Sequence, residues 1–501
     1  GMFATMLRLM MLAALAACAG HAAAPSVPPV GAAPEATRWV PERPTFVMSS
    51  PALADALRDL REVIEAVSVV SGLELRDLSA AAQGLIGVDV LQADALAAIG
   101  VDVRASWAAF SDDLNPTFVV HLASADKMKA FVARQRERGL AIQTATADQI
   151  EVSSLELMGV AAIRWAIDGD WMWVHLSLVG GAAPADPAQW FVASHHAHPA
   201  AWADNWTWAS RAARTAAGVV GFYDLHGALA RAAERLPSAL ACARLAPSIG
   251  RIGFGLRGDG HRVESRLAVE IGPTDELLRH VLPPPSGWTA AASRAAVAAQ
   301  WNLDLASVRR FLEPCLTASG SQLAMFDQTG VRAARGMLIS FDPEHLDGAG
   351  VVALDVVDPA FFARQLDRIP MRSAFERPAQ FGHHAGFAID IPLSVTVEYL
   401  IEPNLVVAGL GEGVISPLFG PASGAGAAAA PPVFALDVAP GVMSAQSWGI
   451  LLQALGERRL PGSPGPRAQR AAEHLLRWRT GHVAITAEGH ELVLTASGEH
   501  L

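Results

Sequence analysis

Thr117-Phe118-Val119-Val120-His121-Leu122 is a run of β-branched, aromatic and aliphatic residues, and the segments after it decide the fold. Ser124 or Asp126 offers a helix cap, and Met128, Phe131 and Val132 then fall on one helical face. Residues 160–167 and 171–179 are two further β-rich runs, joined at Asp168-Gly169-Asp170, a strong hairpin signal. The order is strand, helix, strand, strand. It recurs from Val219 to Ile271 with a turn at Gly258-Asp259-Gly260. A third copy runs from Gly350 to Leu410, turning at Glu402-Pro403-Asn404, and a fourth from Val433 to Ala496, turning at Glu488-Gly489.

Longer matches group these units in pairs. Gly100-Val101 followed by Phe131-Val132-Ala133-Arg134-Gln135 answers Gly330-Val331 followed by Phe361-Phe362-Ala363-Arg364-Gln365, both at an offset of 230. Residues 163–168 match 397–402 in pattern, and Asp259-Gly260-His261 answers Glu488-Gly489-His490 at an offset of 229. The expectation is a tandem duplication, with halves at 51–285 and 286–501. That period is far too long for a solenoid or a propeller. About four β-α-β-β units imply an α+β fold class, with mainly antiparallel sheets and helices on one face. Residues 421–432, nearly all Ala, Gly and Pro, read as a flexible loop between the third and fourth units. Leu53, Leu57, Leu60, Ile64 and Val67 recur at helical spacing, which predicts an amphipathic surface helix over 53–70.

The chain has 501 residues, 51% of them hydrophobic and 17% charged, which excludes a disordered polymer. A net charge of -11 disfavours a nucleic-acid partner. Three cysteines exclude a disulfide-built scaffold. After Met2 and the single positive charge of Arg8 comes the apolar run 9–17, ending in Leu15-Ala16-Ala17-Cys18. Charge followed by a short apolar run is the order of an export signal, and the run is too short to cross a bilayer.

Leu15-Ala16-Ala17-Cys18 resembles the lipobox of bacterial lipoproteins. The resemblance implies a signal peptide over 1–17, cleavage before Cys18, and lipid on the Cys18 thiol and new amine. Ala19, where that family's inner-membrane retention signal has Asp, favours an outer-membrane lipoprotein with its body facing the periplasm. The partners it implies are the membrane, through that N-terminal lipid, and an envelope protein, glycan or lipid. Residues 18–50, rich in Ala, Pro and Val, then read as the lipidated cysteine and a semi-extended tether, with the folded body starting near Pro51. In composition and layout the body resembles large envelope lipoproteins of GC-rich Gram-negative bacteria. It carries none of their motifs, so that likeness assigns no functional residue.

Chemistry is sparse. The sequence holds no G-x-S-x-G, H-E-x-x-H or G-x-x-x-x-G-K-[ST] pattern. Ser124-Ala125-Asp126-Lys127 satisfies S-x-x-K, but no lysine follows Lys129 to supply the K-T-G partner, and Ser124 reads better as a helix cap. No catalytic residue and no cofactor is expected. His195, His196 and His198 form a short tract that suits weak metal binding, although solvated loop histidines are the plainer reading, as they are for His383-His384. Trp202, Trp206 and Trp208 read either as core or as an exposed surface for glycan, lipid or protein. The function expected is a non-enzymatic lipoprotein of the cell envelope that binds or scaffolds a partner. A periplasmic carrier of a hydrophobic ligand is the alternative, followed by an envelope hydrolase.

In an oxidising compartment Cys242 and Cys315 tend to pair, and a bridge closing a loop of roughly 70 residues would add ~3–4 kcal/mol. Non-reducing peptide mapping of the full chain is expected to return one linked peptide pair containing both residues. Two separately alkylated cysteines would remove the bridge.

Overall fold

A computed structural model describes residues 32–71, 75–111, 115–157, 161–178, 189–196, 202–213, 218–227, 250–272, 295–310, 330–342, 347–368, 372–391, 395–419, 432–457 and 463–501. Among these residues the first half holds ten strands: β1 (Phe46–Ser50), β2 (Trp107–Ser111), β3 (Thr117–His121), β4 (Gln143–Ala147), β5 (Ile150–Leu157), β6 (Ala161–Asp168), β7 (Trp171–Leu178), β8 (Val219–Asp224), β9 (Arg251–Gly258) and β10 (Arg262–Glu270). Ten more follow in the second half: β11 (Val297–Asp304), β12 (Val331–Asp342), β13 (Asp347–Val356), β14 (Glu376–Phe381), β15 (His384–Ile391), β16 (Val395–Glu402), β17 (Leu405–Leu410), β18 (Phe434–Val438), β19 (Trp478–Glu488) and β20 (Glu491–His500).

Every pairing between them is antiparallel. The registers run in one line through the first half as β4-β5-β6-β7-β3-β2-β1-β8-β9-β10. The line continues as β20-β19-β18-β11-β12-β13-β17-β16-β15-β14. Read inward from its own end, each half visits its ten strands in the same order. The two meet where β10 lies against β20, from Arg262 opposite Glu499 to Glu270 opposite Glu491. At the middle of that seam Arg266 faces Thr495, and these two residues are themselves 229 apart in sequence.

The strands expected at 117–122, 160–167, 171–179, 251–256 and 262–271 are present, as are their turns. Gly169, Gly260 and Gly489 carry positive φ of 55°, 88° and 62° at those turns, where glycine costs least. Missed were β1, β2, β4, β5, β11, β12, β14 and β15. β4–β5 lie between the helix Ala125–Glu137 and the β6–β7 hairpin, and β14–β15 between the helix Pro359–Leu366 and the β16–β17 hairpin, two strands in each place beyond the expected strand–helix–strand–strand order.

Helices cover both faces of the first-half sheet, which corrects the expectation of one covered face. Val47, Phe110, Trp173 and Phe222 pack on one side beneath the helices Gln189–His195 and Ala203–Ala213. Phe46, Met48, Trp107 and Met172 pack on the other beneath Leu53–Ser71 and Ala125–Glu137. A strand sealed on both faces loses its apolar–polar alternation, and all five residues of β2 are buried. The tether expected over 18–50 also ends sooner than read. Glu35–Trp39 is a 3-10 turn, Ala36 and Val40 are in the core, and β1 lies between β2 and β8. In the second half, Phe434, Leu436, Trp448, Leu475 and Val483 build one core and Val351, Leu400, Val407 and Ile415 another. The half boundary at 285/286 and residues 421–431 lie outside the described residues.

The seam is covered on both sides. Val263 and Ala496 belong to the core formed with the helices Ala445–Glu457 and Pro466–Leu475, against which Val63 also packs. Ala268 and Val493 pack beneath Ala212 and Trp208 on the opposite face. The helix Leu53–Ser71 lies against Pro466–Leu475. It is fastened to the end of β9 by Arg58, which donates to the Gly258 carbonyl at 3.2 Å. The approach there is close: a Cβ on Gly258 would stand 2.7 Å from Glu62 Oε2 and 2.8 Å from Asp59 Oδ1, so those carboxylates would have to shift. Burial pushes the Asp59 carboxyl above its ordinary pKa, against the Gly258 hydrogen bond and Arg58, which lower it.

Val493→Asp, which buries an unpaired charge in the seam, is expected to lower stability by ~3 kcal/mol or more. Urea unfolding followed by tryptophan fluorescence, whose donors lie mostly in the first half, should register that loss although the change is in the second. An unchanged midpoint would mean that the halves stand independently.

Candidate functional site

The helix Gln189–His195 lays Trp190, Phe191 and His195 over the sheet face formed by β3, β6 and β7. It is the place where the first half gathers titratable and aromatic side chains. His195 Nε2 stands 2.8 Å from Asp168 Oδ2, at the end of β6. Its Nδ1 is 3.5 Å from Asp148 Oδ2, and His196 Nε2 is 3.3 Å from the same oxygen. The imidazole lies between Phe191, stacked at 4.8 Å, and Trp39, parallel to within 4° at 6.3 Å. Trp173 meets it edge-on at 5.7 Å.

Local conformation delivers these groups. Asp148 and Gln149 form the two-residue link between β4 and β5 with φ of 52° and 64°. Positive φ at both positions is the type I′ geometry that matches strand twist, and aspartate tolerates it better than most residues. Trp39 arrives on the 3-10 turn, and the Arg38 guanidinium lies 4.7 Å over its ring and 5.3 Å over that of Trp171.

Deeper under the helix is a second polar row. His175 Nδ1 is 2.9 Å from the Thr117 hydroxyl across β3 and β7, and Arg164 sits opposite His175 on β6. A hydroxyl beside an imidazole has the form of a nucleophile and its base. Both residues are only 4% exposed, and the Trp190 ring lies parallel to the imidazole at 5.1 Å, which closes the approach. The pair satisfies itself and serves the core.

The second half repeats the theme with other residues. His384 Nδ1 is 2.6 Å from Glu402 at the end of β16, and its ring packs on Phe419 at 4.0 Å. Asp168 and Glu402 occupy corresponding strand ends. On the seam side, His482 Nδ1 meets Asp437 at 2.7 Å.

These contacts correct several sequence expectations. His195 and His384 are not solvated loop histidines, because each is held by a carboxylate and an aromatic ring. His195 and His196 share Asp148, but among the described residues no group of three or more His, Cys, Asp or Glu side chains is placed to hold a metal. Trp202 and Trp206 are core residues, each 5% exposed, under the helix Ala203–Ala213. Trp208 is partly buried, donates to Glu491 at 2.8 Å and takes Arg251 over its ring at 4.5 Å. These three tryptophans therefore form no exposed surface; the i, i+4 spacing of Trp202 and Trp206 marks the inward face of a helix. Ser124 is a cap, accepting from the Lys127 amide. His198, Cys18, Cys242 and Cys315 lie outside the described residues.

No family model and no curated protein matches the chain. Among solved structures it is similar to crystal form III of TP0453, at 10% identity and a TM-score of 0.29, over 48% of this chain and 81% of that one. Crystal form I of the same protein gives 7% identity and a TM-score of 0.27, over 48% and 80%. A likeness this slight carries no argument about fold or function.

Trp202→Ala is expected to cost ~3–5 kcal/mol in denaturant unfolding, as for a large aromatic removed from a core. A loss within ~0.5 kcal/mol, typical of a surface position, would return that residue to the surface.

Proposed function

We propose that this chain is a lipid-anchored, non-enzymatic lipoprotein of the outer membrane whose periplasm-facing body binds or scaffolds an envelope partner. The observation that carries the reading is the apolar run 9–17 ending in Leu15-Ala16-Ala17-Cys18, with a packed body close behind it. Ala36, a fully buried residue, stands 18 positions after Cys18. A chain of that length reaches at most ~60 Å when fully extended, so the body stays near the membrane to which the lipid fastens it. Among the described residues, three side chains that offered chemistry in the sequence are occupied within the fold: Ser124 by a helix end, His195 by Asp168 and His384 by Glu402.

The same reading takes the body as a tandem duplication, each half comprising two related units. The repeated strand order and the 229-residue spacing at the seam support it. A duplicated body presents two related but non-identical halves on one anchor, a form suited to holding a partner in a fixed orientation.

Cys18→Ser should move the protein from the outer-membrane fraction to the soluble periplasm and abolish metabolic labelling by a fatty acid. Continued fractionation with the outer membrane by the Cys18→Ser chain would refute the lipid anchor.

A further inference from the structure

The ends of the twenty-strand line are β4 and β14, and they are not alike. Among the described residues β4 pairs with β5 alone and β14 with β15 alone. Unpaired strand edges invite pairing with another chain, and proteins block them with proline, charge or short length. The β14 edge is blocked. Pro378 stands within it, and a proline ring fits a strand only on a side without ladder bonds. The charged Glu376 and Arg377 precede Pro378 on the strand, tied to Arg372 at 2.7 Å and to Asp390 at 2.9 Å. The β4 edge, Gln143-Thr144-Ala145-Thr146-Ala147, has no proline, no glycine and no charge. Its first four residues are exposed and so stand clear of the chain's own helices.

We propose that β4 pairs with β4 of a second copy of this chain, antiparallel about a two-fold axis at Ala145. In that register Ala145 faces Ala145, Thr144 faces Thr146 and Gln143 faces Ala147. No like charges meet, and the two Thr–Thr pairs are of the kind that stabilises adjacent strands. The mode is the one used inside the chain, where β10 and β20 meet antiparallel with Arg266 facing Thr495. One open and one blocked edge also set the outcome: the contact closes as a symmetric dimer and cannot propagate as a fibre. The proposal does not depend on the lipid anchor, because the pairing needs only two folded bodies.

The test uses the full chain in mild detergent. Light scattering at tens of micromolar should give a protein mass twice that of one chain. The double variant Thr144→Lys/Thr146→Lys, which guards the edge as natural edges are guarded, should halve that mass with an unchanged thermal melt. Ala145→Cys should form a reducible dimer under mild oxidation, in clear excess over Gln380→Cys on β14. A monomeric wild-type mass, or crosslinking by Ala145→Cys no greater than by Gln380→Cys, would overturn the proposal. So would a monomer whose β4 amides are protected from exchange by a co-purifying protein, which would assign the edge to a different chain.

Discussion

The pairing of β10 with β20 is the interaction on which the rest of the fold depends. Without it, two ten-strand sheets would each expose a nine-residue edge and the apolar groups beside it. With it, the backbone groups facing each other along that seam are satisfied, and elements from both halves converge on it. The helix Leu53–Ser71 reaches from the first half to Pro466–Leu475 in the second, and Trp208 reaches across the opposite face to Glu491. Glu270 and Glu491, which would oppose each other at the end of the ladder, are drawn off by Arg251 and by the Trp208 indole. A junction with its charges balanced and both faces covered behaves as part of a core, so the two halves are expected to share stability.

Inside the first half the same economy governs the polar residues. Imidazoles are placed where an aromatic ring and a polar partner coincide: His195 with Phe191 and Asp168, His175 with Trp190 and Thr117. Burial of such a group costs least where its nitrogens find partners; His195 Nε2 has one in Asp168, while its buried Nδ1 makes no hydrogen bond and lies 3.5 Å from the Asp148 carboxylate. Arg164 in the first half and Arg335 on β12 in the second are the harder cases, since each is buried and keeps a guanidinium nitrogen without a hydrogen-bond partner. Desolvation alone lowers the Arg335 pKa to about 10, which leaves it charged at neutral pH.

Much of the architecture was legible in the sequence where turn chemistry is explicit. Asp168-Gly169-Asp170, Gly258-Asp259-Gly260 and Glu488-Gly489 fixed hairpins, and their spacing exposed the repeated layout. The strands that escaped lack such marks. β4 and β5 turn on Asp148-Gln149, two residues with no glycine, and β2 is too uniformly apolar to show a period of two. β1 lay hidden behind the prolines at 41 and 44, which made its surroundings look like tether. The carboxylate partners of the histidines were unreadable for another reason. Asp168 and His195 are 27 residues apart and meet only through the sheet. His384 reaches Glu402 across the β15–β16 pair, and β15 carries no signal of its own in the sequence.

Joined at β10–β20, the two halves are expected to behave as one cooperative sheet. Native-state hydrogen exchange on the full chain, resolved to the peptides covering 262–270 and 491–500, tests it most directly. Both sets of amides are expected to be strongly protected and to exchange with one shared opening free energy, close to that of global unfolding. Separate opening energies for the two strands, or rapid exchange along either while the rest of its half stays protected, would contradict it.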